Sequence, residues 1–80
     1  MSLTHTEQLR AARSLIGITQ ADLSTLSGVS VPTIKRLESG TGRLGVRLDT
    51  VTKLQNALEA AGVIFIDQNG EGPGVRLKKS

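Results

Sequence analysis

At 80 residues the chain has room for one small domain with one core and one binding surface. Its 38% apolar content, with nine glycines besides, is ordinary for a globular protein, and a core this thin makes dimerisation a natural supplement. The net charge is +3, and the lack of cysteine excludes disulfide frameworks, zinc fingers and thiol chemistry.

Along the chain, Thr4-His5-Thr6-Glu7 has the form of a capping box, with Thr4 as the cap and Glu7 reaching back. His5, the single histidine, reads as a solvated helix-start residue and cannot build a metal site alone. Leu9, Ala12, Leu15 and Ile16 then recur at helical spacing, and Gly17 offers a left-handed stop. Thr19-Gln20-Ala21-Asp22 repeats the box in its Asp form and opens a short helix, with Leu23 and Leu26 inward and Gly28 at its end. Ser30 caps a third helix with Pro32 in its first turn, Ile34 and Leu37 facing inward and Gly40 closing it. Residues 41–47 read as a loop. Leu48, Val51, Leu54, Leu58 and Ala61 mark a fourth helix, stopped by Gly62.

From Val63 the period becomes extended. Val63–Ile66 and Val75–Lys78 read as strands, and the Asn-Gly and Gly-Pro-Gly turns of 67–74 read as the mobile tip of a hairpin. Val63–Ile66 is the longest strictly apolar run and is far too short to span a bilayer. The N-terminus lacks the basic and apolar regions of a signal peptide, so the expected location is cytoplasmic. Phe65 is the only aromatic residue, which argues against modules that stack single-stranded bases. The expected organisation is a mainly helical unit over 1–62, with 63–80 a hairpin of the same domain.

Charge is unevenly placed. Residues 30–47 carry +3, from Lys35, Arg36, Arg43 and Arg47 against Glu38, which equals the charge of the whole chain. Alone, such a patch fits a solvated face as well as an anion-binding surface. No constellation supports catalysis: the acids are scattered singly, Ser and Thr have no histidine nearby, and the glycines form no phosphate-binding loop. Neither an enzyme, a cofactor nor a small-molecule effector site is expected.

Thr19 to Gly40 holds two short helices joined by a tight turn at Gly28-Val29-Ser30, a helix-turn-helix layout. Thr-Gln-Ala-Asp-Leu-Ser, Gly-Val-Ser and Ile-Lys-Arg-Leu-Glu-Ser-Gly stand here as they do in the Cro/repressor (XRE) type of helix-turn-helix domain. The sequence resembles that family from about Gln8 to Ala61. The resemblance implies a lambda-repressor-like four-helix domain that binds duplex DNA in transcription regulation. The C-terminal hairpin departs from the family pattern, in which many relatives have a fifth helix.

At ~100° per residue, Ile34 and Leu37 share one side of the third helix, while Pro32 and Arg36 fall near the opposite face. Lys35 and Ser39 flank them, with Thr33 at one edge. A helix with this face fits the major groove, where Arg can bond guanine bidentately and apolar groups touch the thymine methyl. Arg36 is the leading base-reading residue, with Thr33, Pro32 and Val31 as short-range contacts. Pro32 is equally read as helix initiation, and Val31 as edge-of-core packing.

The family resemblance implies phosphate bonds from Gln20 and Ser30, and helix N-termini favour anions anyway. Arg43 in the loop is the best phosphate candidate on the far side, followed by Thr41, Lys35 and Arg47. Glu38 lies about 40° from Ile34, near the inward face, where an unpaired carboxylate is costly. By resemblance its partner is Arg13, in a structural ion pair.

Strand Val63–Ile66 is apolar on both faces, so one face needs a second cover. Val63, Ile64, Phe65, Ile66, Val75 and Leu77 are therefore expected to make a homodimer, the alternative being that the second face meets the fourth or first helix. The leading function is a sequence-specific regulator binding two half-sites of double-stranded DNA. The alternative is an antitoxin-like protein that grips a partner toxin and autoregulates its operon.

Overall fold

Four helices and one hairpin follow in chain order: α1 (Thr6–Ile16), α2 (Gln20–Ser27), α3 (Val31–Glu38), α4 (Leu48–Ala60), β1 (Val63–Ile66) and β2 (Gly74–Leu77). The computed structural model describes residues 2–67 and 70–78. Gln68 and Asn69, part of the expected hairpin tip, lie outside the described residues.

The start of α1 is one residue later than the capping-box reading suggests. His5 takes the cap position, because the Thr6 N–H is drawn to the Gly42 carbonyl at 2.9 Å. Gln8 rather than Glu7 then returns to the backbone, its Oε1 accepting the N–H groups of His5 and Thr4 at 3.0 and 2.9 Å. At α2 the box is as expected: Thr19 Oγ1 accepts the Asp22 N–H and Asp22 Oδ2 accepts the Thr19 N–H, both at 3.0 Å. Gly17 and Gly28 end α1 and α2 with φ of +68° and +79°, a left-handed conformation that glycine adopts without strain. The third helix differs. It ends at Glu38 on a right-handed Ser39 cap, and Gly40 does not close it in a left-handed turn.

One core joins the four helices and β1: Leu3, Leu9, Ala12, Leu23, Val29, Ile34, Leu37, Leu54, Leu58, Val63 and Phe65, with half-buried Val75 of β2 packed against it. Three leucines expected inside are not in it. Leu15, Leu26 and Leu48 are 45%, 57% and 80% exposed. Each lies off the buried line of its helix: on α2 the side inward of Leu23 is continued by half-buried Ser27, four residues on, rather than by Leu26. Ala61 is likewise exposed, at the cap beyond α4.

The hairpin is antiparallel, with Val63 opposite Leu77, Ile64 opposite Arg76, Phe65 opposite Val75 and Ile66 opposite Gly74. Its second strand thus begins one residue earlier than the alternation suggests. The hairpin packs on α1 and α4. Opposed residues share a face, so Val63, Phe65, Val75 and Leu77 look toward the helices. Ile64 and Ile66 point the other way. They are half-buried and do not pack against the core cluster.

Gln8 secures this junction. It is 2% exposed, and its Nε2 donates to the carbonyls of Gly74 at 3.0 Å and of Ile66 and Ser2 at 3.4 Å. One amide thus joins α1, the N-terminal segment and both strands. Residues 2–4 run on as a strap: Ser2 N–H donates to Asp67 Oδ1 at 2.8 Å and Leu3 N–H to Gln55 Oε1 at 2.9 Å. Replacing Gln8 by Leu keeps the volume but strands several half-buried backbone groups. The Gln8→Leu protein should lose about 2–3 kcal/mol, read from its urea midpoint at unchanged m value.

Candidate nucleic-acid interface

The turn Gly28-Val29-Ser30 sets the entry of α3. Val29 is buried, and its N–H is held by Ser27 Oγ at 3.1 Å. Ser30 Oγ caps the helix by accepting the Thr33 N–H at 3.4 Å, and it donates to Thr33 Oγ1 at 2.9 Å. Pro32 stands in the first turn, where its missing N–H has no helical partner to lose.

Ile34, Leu37 and Glu38 are the buried side of α3. Pro32, Lys35, Arg36 and Ser39 are exposed, and Val31 and Thr33 half-buried. Among the described residues the side chains of Lys35, Arg36 and Arg43 have no hydrogen-bond partner in the protein. Arg36 stands at the seam between α3 and the following loop. It lines a cleft of about 580 Å³ with Thr33, Val46, Arg47 and Thr50, and a smaller one of about 180 Å³ with Thr41 and Arg43. The structure thus brings Thr33, Arg36, Thr41, Arg43 and Arg47 to one side. Arg47 is loosely held by Asp49 at 3.3 Å, both exposed.

Glu38 is engaged from two other helices. Arg13 Nε and Nη2 donate to its two carboxylate oxygens at 2.9 Å each, and Gln20 Nε2 adds a bond to Oε1 at 3.1 Å. The Glu38 side chain is 5% exposed and that of Arg13 26%. Burial alone raises the carboxyl's pKa. The bonds from Arg13 and Gln20 and the positive charges of Arg13 and Arg10 outweigh it, leaving Glu38 below its ordinary range. One amide proton of Gln20 is therefore committed inside the protein. Arg13 also donates to the Ile18 carbonyl at 3.0 Å, fixing the chain between α1 and α2.

The loop after α3 is framed by the N-terminal segment. Leu44 N–H donates to the Thr4 carbonyl at 2.9 Å, and His5 and Arg43 form an antiparallel bridge. Gly42 has a φ of +81°, and its N–H is shared between both carboxylate oxygens of Glu7 at 3.2 Å. Bonds from its own backbone and from Gly42 lower the pKa of Glu7. The Arg43 backbone is thus paired while its side chain stays exposed.

Sequence reasoning missed the part played by Glu7, Arg10 and residues 2–6 in this frame. The available signal was the spacing of Glu7, Arg10 and Arg13, one turn apart on α1. Among the described residues no group of three His, Cys, Asp or Glu could hold a metal, and no helix is long and apolar enough to cross a membrane.

A family model described as helix-turn-helix matches residues 9–60, more than half the chain. No curated protein matches the sequence.

The depressed Glu38 pKa means that its share of stability is present above the unfolded value, ~4.3, and is lost as pH falls through the lower folded value. Glu38→Ala should cost about 3 kcal/mol at neutral pH, because it leaves Arg13 without its partner. The urea midpoint of the parent should fall below about pH 4, and that of Glu38→Ala should fall less. Equal midpoints at neutral pH would contradict the pairing's importance.

Proposed function

Because the chain belongs to the Cro/repressor type of helix-turn-helix DNA-binding transcription regulators, we propose that α3 reads a specific duplex site from the major groove, as one half of a homodimer. The observation that carries this reading is the outer face of α3: exposed, cationic and without side-chain partners in the protein at Lys35 and Arg36, while the opposite face is wholly committed to the core. Arg36 is the principal base contact, with Thr33, Pro32 and Val31 closing on the groove beside it. Gln20, Ser30, Lys35, Thr41, Arg43 and Arg47 serve the phosphates. Ser30 already donates its hydroxyl to Thr33, so its contribution comes through the helix N-terminus it caps. Gln20 retains one free amide proton. The work is that of a cytoplasmic regulator without a cofactor.

The dimer reading rests on Ile64 and Ile66. Their side of the hairpin is the one not packed on the core, whereas Val63 and Phe65, also expected at the interface, are buried within the protomer. Half-buried Val75, which packs on the core, and exposed Leu77 are on that same helix-facing side, opposite the Ile64 and Ile66 face. A second copy covering this face matches the apolar pair with the same pair across a two-fold axis. It would also set two recognition helices about one DNA turn, ~34 Å, apart.

Arg36→Ala should cost roughly 1–3 kcal/mol on the preferred duplex and relax preference at one or two base pairs, with a smaller effect on random DNA. Equal losses on both would make Arg36 a phosphate contact. Arg43→Ala should weaken both similarly and lower the log–log salt slope by about 1. For the dimer, Ile64→Lys should run as a monomer in light scattering and lose affinity for a two-half-site duplex. Persistence of a dimer would place the interface elsewhere.

A further inference from the structure

Three charged residues of α1 stand one turn apart and meet three alternate residues at the end of α3 and the loop beyond it. Arg13 binds the Glu38 carboxylate. Arg10 Nη1 donates to the main-chain carbonyl of Glu38 and to that of Gly40, the latter at 2.9 Å. Glu7 accepts the Gly42 N–H. The match is geometric: a helix brings residues three apart to neighbouring positions about one turn along its axis, so Glu7, Arg10 and Arg13 meet the chain in succession as it turns out of α3.

The grip answers a local need. α3 has only eight residues, and its Ser39 cap is right-handed, so no left-handed glycine folds amides back onto the last carbonyls. Ser39 covers two of them, its N–H bonding the Lys35 carbonyl at 3.0 Å and its Oγ the Arg36 carbonyl at 2.8 Å. The guanidinium of Arg10 takes the carbonyl of Glu38, the last residue of the helix, and that of Gly40 beyond it, and places positive charge at the negative end of the helix.

We propose that Glu7 and Arg10 are positioning residues for sequence readout, holding the end of α3 and the Arg43 loop in the relative placement that lets Arg36 and Arg43 engage DNA together. This rests on the reading of α3 as the base-reading helix. Arg10 on this view is not a phosphate contact, although it is a cation beside a basic surface. Glu7 is an anion on that surface, and charge alone would make it a hindrance.

That opposition of signs supplies the test. Glu7→Ala removes an exposed negative charge, so simple electrostatics raises affinity for any duplex. The positioning role instead requires weaker binding, by roughly tenfold, to the duplex selected by the parent protein, with random-duplex affinity unchanged or higher. In the free protein the Gly42 amide should exchange its hydrogen faster. Arg10→Met should weaken specific binding by roughly tenfold with an unaltered salt slope, and Arg10→Lys should recover part of it. Equal gains on both duplexes with Glu7→Ala, or a salt slope lowered by about 1 with Arg10→Met, would overturn the proposal. Unchanged Gly42 exchange in Glu7→Ala would overturn it too, without reference to DNA. A parent protein that selects no sequence at all would instead overturn the base-reading role of α3.

Discussion

A carboxylate that is nearly sealed from water has to be matched by charge and by hydrogen bonds, and Glu38 is matched by residues of two other helices. Arg13 comes from α1 and Gln20 from the first turn of α2. Apolar contacts among three short helices tolerate small slips, because dispersion and burial depend weakly on direction. A forked guanidinium facing two oxygens does not tolerate them. The orientation of α3 is therefore set by directional bonds at one end and by Ile34 and Leu37 beneath it. The outer face is freed from any structural duty.

A second polar joint sits at the opposite border of α1. Gln8 closes the hairpin onto α1 as Glu38 closes α3 onto it. Between the two joints α1 presents Leu9 and Ala12 to the core. This one helix thus has three differently employed sides: an apolar one inward, an amide toward the hairpin, and a charged stripe toward the loop after α3. Of its eleven residues, Ala11, Ser14 and Leu15 are the ones left to solvent without a part in these contacts.

Local chemistry made much of this legible in the sequence. Helix order, the Thr19 box, the Ser30 cap and the left-handed Gly17 and Gly28 depend on residues within a few positions of one another. The outward side of α3 follows from its period alone. What was not legible depends on partners distant in sequence. The Gly42 carbonyl draws the Thr6 N–H, which displaces the α1 cap from Thr4 to His5 and hands the box to Gln8. Leu15, Leu26 and Leu48 satisfy a three-residue spacing, but the neighbouring helices cover the line four residues on. Arg10 carries no local sign that its guanidinium is turned to main-chain carbonyls 28 and 30 residues away.

Phe65 lies wholly inside, on the strand that closes the hairpin against the helices, and it is the only Phe, Tyr or Trp in the chain. The protein consequently has almost no absorbance at 280 nm and no indole fluorescence, and its near-ultraviolet dichroism comes from one ring. Apart from the His5 imidazole, that ring is also the sole source of ring-current displacement in a proton spectrum. A methyl resonance shifted far upfield therefore belongs to a side chain lying on Phe65 or on His5, and substitution of His5 separates the two. Collapse of the Phe65 shifts while the helical signal persists would be the spectroscopic mark of a hairpin that has left its helices.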